Sequence, residues 1–405
     1  MNNDHCISLG GKILKETEVK PLFSIALVTF EQRRFLNDCL DSVFMQDYSR
    51  IELIVCDDFS ADFDTDEVRR YIDAHKGNNI VNVVVYQQPG NVGTCANCQK
   101  AFELSSGEYL KFFAGDDLLS DSDVLSSMAA YLKYPSNGLV FSRARGMKQN
   151  GEKTNNLYPD DYSFNLAKSC GAHRLFELYA THCWGKFFFA PSSFWRRDLL
   201  TEIGGFNLKY KYTEDWPAFL SVCERGITPL YTDEVTLFYR YGGISNNQDE
   251  QHFEQARVHY MESSAILQEC ALPVLREKYS WFSRLCCWYA AVSLEARCVY
   301  EIDWFRTWNF TQKLRWLLHH IPYFIVGTFL MMCGGRMYPS LKKPAVVCII
   351  AWFILYFDII VCPFWNNELA ASLVMCFAAL WAIAVFGIRL FVRICVTVSR
   401  SLSIR

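Results

Sequence analysis

Four short apolar runs alternate with segments of helical spacing near the start of the chain. Each run has the length of a buried strand, and the four occupy residues 23–30, 51–56, 80–86 and 109–113. The helical segments lie between them, at residues 34–45, 66–75 and 91–104. Strands that alternate with helices pair in parallel, because each helix returns the chain across one face of the sheet. The pattern predicts an α/β fold with a doubly wound, mixed but mostly parallel sheet.

Two adjacent carboxylates, Asp116 and Asp117, follow the fourth apolar run after a glycine. Open α/β sheets bind ligands at the carboxyl ends of their strands. Adjacent carboxylates repel each other unless a cation lies between them, and Mg²⁺ is often held by one or two carboxylates together with phosphate oxygens. The pair therefore predicts a metal and phosphate site. A surface turn with helix-capping aspartates is the alternative.

Other common sites find little support in the sequence. Neither G-x-G-x-x-G after the first run nor G-x-x-x-x-G-K-[ST] occurs, and a second acidic pair, Asp57 and Asp58, ends the second run instead. A net charge of −3 without a basic run argues against binding of nucleic acid. The 17 cysteines lack the spacing of a disulfide framework. Cys95 and Cys98 form a single C-x-x-C motif, for which a redox role remains an alternative.

An ordered series of short motifs runs through residues 21–245. The series comprises VTF (28–30), VCDDFS (55–60), NVG (91–93), GEY (107–109), GDD (115–117), SSFWRR (192–197), IGGF (203–206) and TEDW (213–216). No single motif is specific, but in this order they resemble the family 2 glycosyltransferases of the GT-A fold. There are two departures. Ala114 stands where many members have an Asp, and Cys98 stands where many have an Arg that contacts phosphate.

The resemblance implies a nucleotide diphosphate sugar, expected to be a UDP-sugar, as the donor. Its nucleotide would contact Thr29, Asp57, Asp58 and Asp116, with Asp58 accepting from the uracil edge. Asp116 and Asp117 would hold a divalent metal, Mn²⁺ or Mg²⁺, that neutralises the departing diphosphate. Arg240 is a candidate phosphate contact through its planar guanidinium, and a surface strand position is its alternative.

A third acidic pair, Glu214 and Asp215, is the candidate for proton transfer. A positioned carboxylate can take the proton of an acceptor hydroxyl as the new bond forms. In the resembled family the pair opens a helix and its second member is the base, so Asp215 is the predicted base, and Glu214 and Trp216 are predicted to contact the acceptor. Pro217 fits the first turn of such a helix. Alternatively, the two acids only complement the helix dipole.

The distal part of the chain has the composition of a membrane region. Residues 345–362 and 370–388 are apolar and long enough to span a bilayer, and basic residues flank them, which predicts that both flanks are cytosolic. Residues 317–332 are predicted to form an interfacial or re-entrant helix, with a third span as the alternative. The polar N-terminus has no apolar signal segment, so the catalytic domain is expected on the cytosolic face of the cytoplasmic membrane.

These features predict six consecutive regions. They are a tail (1–20), a GT-A domain (21–245), a helical connection (246–312), an interfacial helix (313–334), two transmembrane helices (345–388) and a basic cytosolic tail (389–405). The predicted activity is inverting sugar transfer to a polyprenyl-diphosphate-linked saccharide during synthesis of a surface polysaccharide. Residues 312–316 have the form Q-x-x-R-W of processive synthases, so a processive synthase is one alternative. An inactive membrane scaffold or sugar-nucleotide sensor is the other.

Overall fold

The computed structural model describes residues 19–181, 187–242 and 253–298. Its strands are β1 (Phe23–Thr29), β2 (Ile51–Asp57), β3 (Ile80–Gln87), β4 (Tyr109–Ala114), β5 (Leu118–Leu119), β6 (Leu139–Met147), β7 (Lys153–Tyr158), β8 (Ser193–Arg196) and β9 (Leu230–Arg240). Its first helices are α1 (Arg33–Phe44), α2 (Thr65–His75), α3 (Thr94–Leu104), α4 (Val124–Leu132), α5 (Asp161–Lys168) and α6 (Ala172–Tyr179). The later helices are α7 (Arg197–Glu202), α8 (Asp215–Glu224), α9 (Phe253–Ile266), α10 (Leu272–Lys278) and α11 (Trp281–Cys298).

The strands form one mixed sheet in the order β3-β2-β1-β4-β8-β6-β9-β5, and β7 pairs with β6. The first four strands pair in parallel, as the alternation of strands and helices predicts. Beyond β4 the prediction of a mostly parallel sheet is wrong, because four of the eight described pairs are antiparallel. One cause is the short connection between β6 and β7. Residues 148–152 are too few for a crossover, so these two strands must run in opposite directions.

Helices cover both faces of the sheet, which confirms the doubly wound arrangement. On one face, Leu36 of α1, Ile72 of α2 and Leu125 of α4 belong to a buried cluster with the side chains of β1 and β2. On the other face, Cys95 and Cys98 of α3 are buried in a second cluster. Both cysteines are free thiols whose pKa burial raises, so their C-x-x-C motif has a structural role rather than a redox one.

The helices that follow β9 share a core with the α/β layer. Ile266 of α9, Leu275 of α10 and Cys287 of α11 belong to the same buried cluster as Phe219 of α8. The predicted helical character of this region is therefore present from residue 253 to residue 298. No helix within the described ranges is long and apolar enough to span a bilayer. The predicted interfacial helix, the transmembrane pair and the basic tail lie outside the described residues.

Candidate active site

The carboxyl ends of three neighbouring strands bring the predicted nucleotide residues together. In the register of the sheet, Thr29 lies beside Asp57, and Val28 lies beside Ala114. The backbone N–H of Asp58 donates to the carbonyl of Thr29 at 2.8 Å, which joins the loop after β2 to the end of β1. The acidic pairs at 57–58 and 116–117 consequently lie at the ends of β2 and β4, the two strands that flank β1, at one edge of the sheet, as the sequence predicts.

Arg240, the last residue of β9, holds the turn that contains Asp116 and Asp117. Its backbone N–H donates to Asp117 Oδ1 at 2.9 Å, and its Nε donates to the carbonyl of Asp116 at 2.9 Å. The side chain is 3% exposed, which rules out the alternative of a surface strand position. Its Nη1 donates to the carbonyl of Gln149 at 3.0 Å, and its guanidinium lies 4.2 Å from the ring centroid of Phe35. Two of its side-chain nitrogens are thus already bonded to backbone carbonyls.

Burial controls the charge of the Asp116–Asp117 pair. It raises the pKa of Asp116 to about 6, and the nearby charges of Arg240 and Arg34 oppose this rise. Burial and the charge of Asp116 raise the pKa of Asp117 well above its usual range. Lys111 on β4 is fully buried, and its ammonium donates to the carbonyls of Pro191 and Ser193. Burial lowers the pKa of Lys111 to about 7, and the charge of Lys111 partly opposes the rise in the pKa of Asp117.

The carboxylate oxygens of Asp116 and Asp117 fit the ligand preference of a hard divalent cation. Asp117 Oδ2 is buried and has no hydrogen-bond partner among the described residues, so one carboxylate oxygen lacks the partner that burial normally requires. No group of three or more His, Cys, Asp or Glu side chains with metal-binding geometry occurs in the described part of the chain. Two carboxylates are nevertheless enough for an ion that takes its remaining ligands from water and from substrate phosphates.

The two carboxylates at the end of β2 bind backbone and side-chain donors of the protein itself. Asp57 accepts from the N–H and the hydroxyl of Ser60 at 2.7 and 2.6 Å, and from the amide of Gln87 at 3.0 Å. These contacts close the loop after β2. Asp58 accepts from the N–H groups of Val92 and Gly93 at 2.7 and 2.9 Å, immediately before α3. Contact of either residue with a nucleobase remains a prediction, and the remaining lone pairs of Asp58 are the more available ones.

Gly93 allows the start of α3 to approach the loop that leads to Asp215. Its φ of +88° lies in the left-handed region, and a Cβ at this position would lie 2.6 Å from the carbonyl oxygen of Lys211. Two residues further, the N–H of Cys95 donates to the same carbonyl at 3.0 Å. The start of α3 therefore contacts Asp58 and the loop before Asp215, so it links the predicted donor site to the predicted base.

Glu214 and Asp215 lie at the start of α8, as the sequence predicts. Asp215 is the first residue of the helix, and Glu214 precedes it as the N-cap residue. Burial raises the pKa of Asp215 to about 6, although the N–H of Trp216 donates to its Oδ1 at 2.7 Å. Burial and the charge of Asp215 raise the pKa of Glu214 to about 8. Burial therefore outweighs the partial positive charge of the helix N-terminus at these two carboxyl groups.

Trp216 is placed differently from its neighbours. The indole is 5% exposed, and its Nε1 donates to the carbonyl of Tyr179 at 3.0 Å. Its ring lies 6.4 Å from that of Phe188 in the core. The placement favours a packing role over the predicted contact with an acceptor. Tryptophan at the start of a helix gives no sequence signal that separates these two roles.

Several residues around the site had no signal in the sequence. Gln149, in the turn between β6 and β7, contacts Arg34 and the strand end at Arg240. Glu262 of α9 accepts from the backbone of the loop that precedes Glu214. These residues lie far from the acidic pairs in the chain, and only the tertiary fold brings them to the site.

The fold and these residues define an α/β enzyme domain with acidic pairs at the carboxyl edge of its sheet. Comparison with known proteins specifies the class. Residues 24–198 match the family model described as glycosyl transferase family 2. This domain match confirms the resemblance seen in the sequence and, with relatives named glycosyltransferases, identifies the chain as a glycosyltransferase.

Individual relatives extend the comparison beyond the matched domain. A "PGL/p-HBAD biosynthesis glycosyltransferase" of Mycobacterium bovis is 25% identical over 240 residues, which are 58% of this chain and 82% of that protein. The chondroitin synthase of Pasteurella multocida is 24% identical over 208 residues, 51% of this chain but only 19% of that protein. The crystal structure of S. aureus TarS 1-349 has a TM-score of 0.52 at 15% identity, covering 82% of this chain and 90% of that one. The likeness to TarS supports the predicted GT-A fold.

Proposed function

We propose that this glycosyltransferase moves a sugar from a nucleotide diphosphate sugar, a UDP-sugar, to a hydroxyl of a saccharide acceptor with inversion at the anomeric carbon. The observation that carries the proposal is the position of three acidic pairs around one sheet edge and the start of α3. Two pairs follow β2 and β4 at that edge. The third lies at the end of a loop that contacts the start of α3, which in turn binds Asp58.

The donor end would be held by Thr29, Asp58 and the Asp116–Asp117 turn. Asp116 and Asp117 would hold a divalent metal, Mn²⁺ or Mg²⁺, which when bound neutralises charge on the diphosphate leaving group. Arg240 fixes the turn through its bonds to Asp116 and Asp117, so the two carboxylates are positioned before any ligand arrives. Because Nε and Nη1 donate to backbone carbonyls, Nη2, which lies 3.9 Å from Asp38 Oδ2, would be the nitrogen that contacts a phosphate oxygen.

At the acceptor end, Asp215 would remove the proton of the attacking hydroxyl. A pKa of about 6 leaves most of the carboxylate ionised at pH 7 while keeping its basicity near the working pH. Glu214, with a pKa of about 8, is protonated at the same pH and would donate a hydrogen bond to the acceptor. Because the base and the leaving group would lie on opposite sides of the anomeric carbon, the reaction would invert the configuration of that carbon.

We further propose that the acceptor is a saccharide linked to a polyprenyl diphosphate, and that the enzyme works on the cytosolic face of the cytoplasmic membrane in the synthesis of a surface polysaccharide. The support is in the sequence, where residues 345–362 and 370–388 have the length and composition of spanning helices with basic flanks. A cysteine replacing Asn366, between these segments, is expected to react with an impermeant thiol reagent from outside, and one replacing Lys342 is not. The reverse labelling would contradict this topology.

A processive polysaccharide synthase is the second candidate. The similarity to the chondroitin synthase of Pasteurella multocida favours it, as does the similarity to the hyaluronan synthase of that genus. The Q-x-x-R-W sequence at residues 312–316 points the same way. Product length separates the two candidates. A single added sugar per acceptor supports the first, and a ladder of longer products supports the second.

The experiment that tests the proposed function begins with the donor. The full chain is screened by thermal shift against nucleotide sugars with Mn²⁺, since a ligand that binds the native state raises the melting temperature. The stabilising donor is then incubated with membrane lipid extract, and the anomeric configuration of the transferred sugar is read by NMR. Transfer with inversion supports the proposal. Stabilisation without transfer would favour the sensor or scaffold alternative, and retention would contradict the mechanism.

A further inference from the structure

The loop that precedes Glu214 and Asp215 is held from two sides. On one side, the N–H of Cys95 at the start of α3 donates to the carbonyl of Lys211. On the other side, the carboxylate of Glu262 on α9 accepts from the N–H groups of Lys211 and Tyr212, the latter at 3.0 Å. Both faces of this short segment are thereby fixed immediately before the acidic pair.

The contact with α9 includes a third residue of the loop. The hydroxyl of Thr213 lies 3.4 Å from Glu262 Oε2 and 3.2 Å from Nδ1 of His259, one turn earlier on the same helix. A carboxylate that accepts from two backbone N–H groups forms charge-assisted bonds, which are stronger than bonds between neutral groups. Because each of its oxygens takes a different N–H, the carboxylate fixes the orientation of two successive peptide groups.

The carboxylate of Glu262 is also electrostatically unfavourable at this position, because it lies near two other carboxyl groups. Glu214 and Asp215 are carboxylates themselves, and the charge of Glu262 adds to the effects that raise the pKa of Glu214. A third carboxylate near a buried acidic pair is unfavourable unless it contributes something else. The paired N–H contacts are that contribution, and they lie three and two residues before Glu214.

We propose that Glu262 is a positioning residue that fixes the backbone of Lys211 and Tyr212 and thereby aligns Asp215 for proton transfer. The proposal rests on the proposed role of Asp215 as the base. It assigns a role in the reaction to α9, a helix that lies beyond the matched family region at residues 24–198. A displacement of about 1 Å at a reacting group can reduce a rate by roughly 10²-fold, so a clamp at this distance from the base has a measurable effect.

The test compares E262A, E262Q and a control, E254Q, in the full chain. Glu254 lies on the same helix, is exposed and pairs with Arg257, so it reports the effect of losing a carboxylate from α9. We expect E262A to lower the single-turnover rate by about 10²-fold at unchanged donor affinity. E262Q keeps one acceptor oxygen and should lose less, and E254Q should match wild type. An E262A rate equal to wild type, or a parallel loss of donor affinity, would overturn the proposal.

A second measurement tests the contacts of Glu262 without depending on enzymatic activity. Hydrogen exchange of the Lys211 and Tyr212 amides in the donor-free protein should be faster in E262A than in wild type, and unchanged in E254Q. If E262A does not fold, E262Q serves for both measurements, because it removes one of the two carboxylate acceptors without shortening the side chain. Unchanged exchange at both amides would contradict the clamp.

The double variant E262A/D215N separates this proposal from the proposed function. If Glu262 acts through Asp215, the double variant should be no slower than D215N alone. Additive losses would overturn the positioning role while leaving Asp215 as the base. A near-wild-type rate for D215N itself would instead overturn the assignment of the base, and with it the proposal that depends on it.

Discussion

The pairs Asp116–Asp117 and Glu214–Asp215 have the same chemistry but opposite surroundings. Arg240 bonds to the first pair, and Arg34 lies close enough to lower the pKa of Asp116. Among the described residues, no lysine or arginine forms an ion pair with the second pair, and its charged neighbour is Glu262. Burial raises the pKa values of the carboxylates in both pairs, so the difference between the pairs lies in their partners. Cations beside the first pair can attract an anionic ligand, and the second pair has no such cation among the described residues. The contrast supports the proposal that the donor binds at the first pair and that the second pair takes part in proton transfer.

The largest effect is expected when the predicted base is neutralised, which tests whether the two acidic pairs have different roles. D215N is nearly isosteric and should lower the single-turnover rate by roughly 10²–10⁴-fold, because it removes the proton acceptor. Donor affinity, measured by calorimetry, should not change. The control is E224Q, at the exposed far end of the same helix. A D215N enzyme that loses donor affinity along with its rate would show that the two pairs do not divide their tasks.

The opposite result is expected at the first pair. D117N should weaken the metal-dependent affinity for the nucleotide diphosphate by about 100-fold, since even residues that only orient metal ligands contribute 10- to 100-fold. D121N, an exposed carboxylate in the next turn, is the matched control. If the wild-type protein bound the nucleotide with equal affinity in chelator and in Mn²⁺, the proposed role of a metal in donor binding would be contradicted.

Substitution of Arg240 tests whether its guanidinium stabilises the turn that carries Asp116 and Asp117. R240M should lower the free energy of unfolding by about 1–3 kcal/mol, because the buried carbonyl of Asp116 loses its donor, as does the partly buried carbonyl of Gln149. Chemical denaturation at pH 7.5 measures this change, with R69M on the surface of α2 as the control. Stability equal to wild type would mean that Arg240 serves the ligand alone.

The smallest effect is expected at Glu214. E214Q resembles the protonated form that a pKa of about 8 predicts at neutral pH, so its rate at pH 7 should fall by no more than about threefold. Initial rates with the donor found by thermal shift measure this change. A loss as large as that of D215N would move the base from Asp215 to Glu214.

The sequence predicts the donor side of this molecule better than the acceptor side. Residues 23–117 encode their strands in continuous apolar runs, so the meeting of Thr29, Asp57 and Asp116 follows from parallel pairing alone. The antiparallel half of the sheet has short strands such as β8, which apolar runs do not reveal. The contacts of Glu262 and Gln149 depend on tertiary packing over long chain separations, and no local pattern encodes them.

The most direct test of the account is the pH dependence of single-turnover transfer at saturating donor and Mn²⁺. A metal held by Asp116 and Asp117 would keep that pair ionised, although burial also raises the pKa of Asp116 to about 6. Burial raises the pKa of Asp215 to about 6, so below that pH the base is protonated and the rate should fall. The account predicts that the wild-type rate rises with pH through about 6, and that D215N lacks this dependence at its residual rate. The same acidic limb in D215N, or a wild-type rate that is flat from pH 5 to 7, would contradict Asp215 as the proton acceptor.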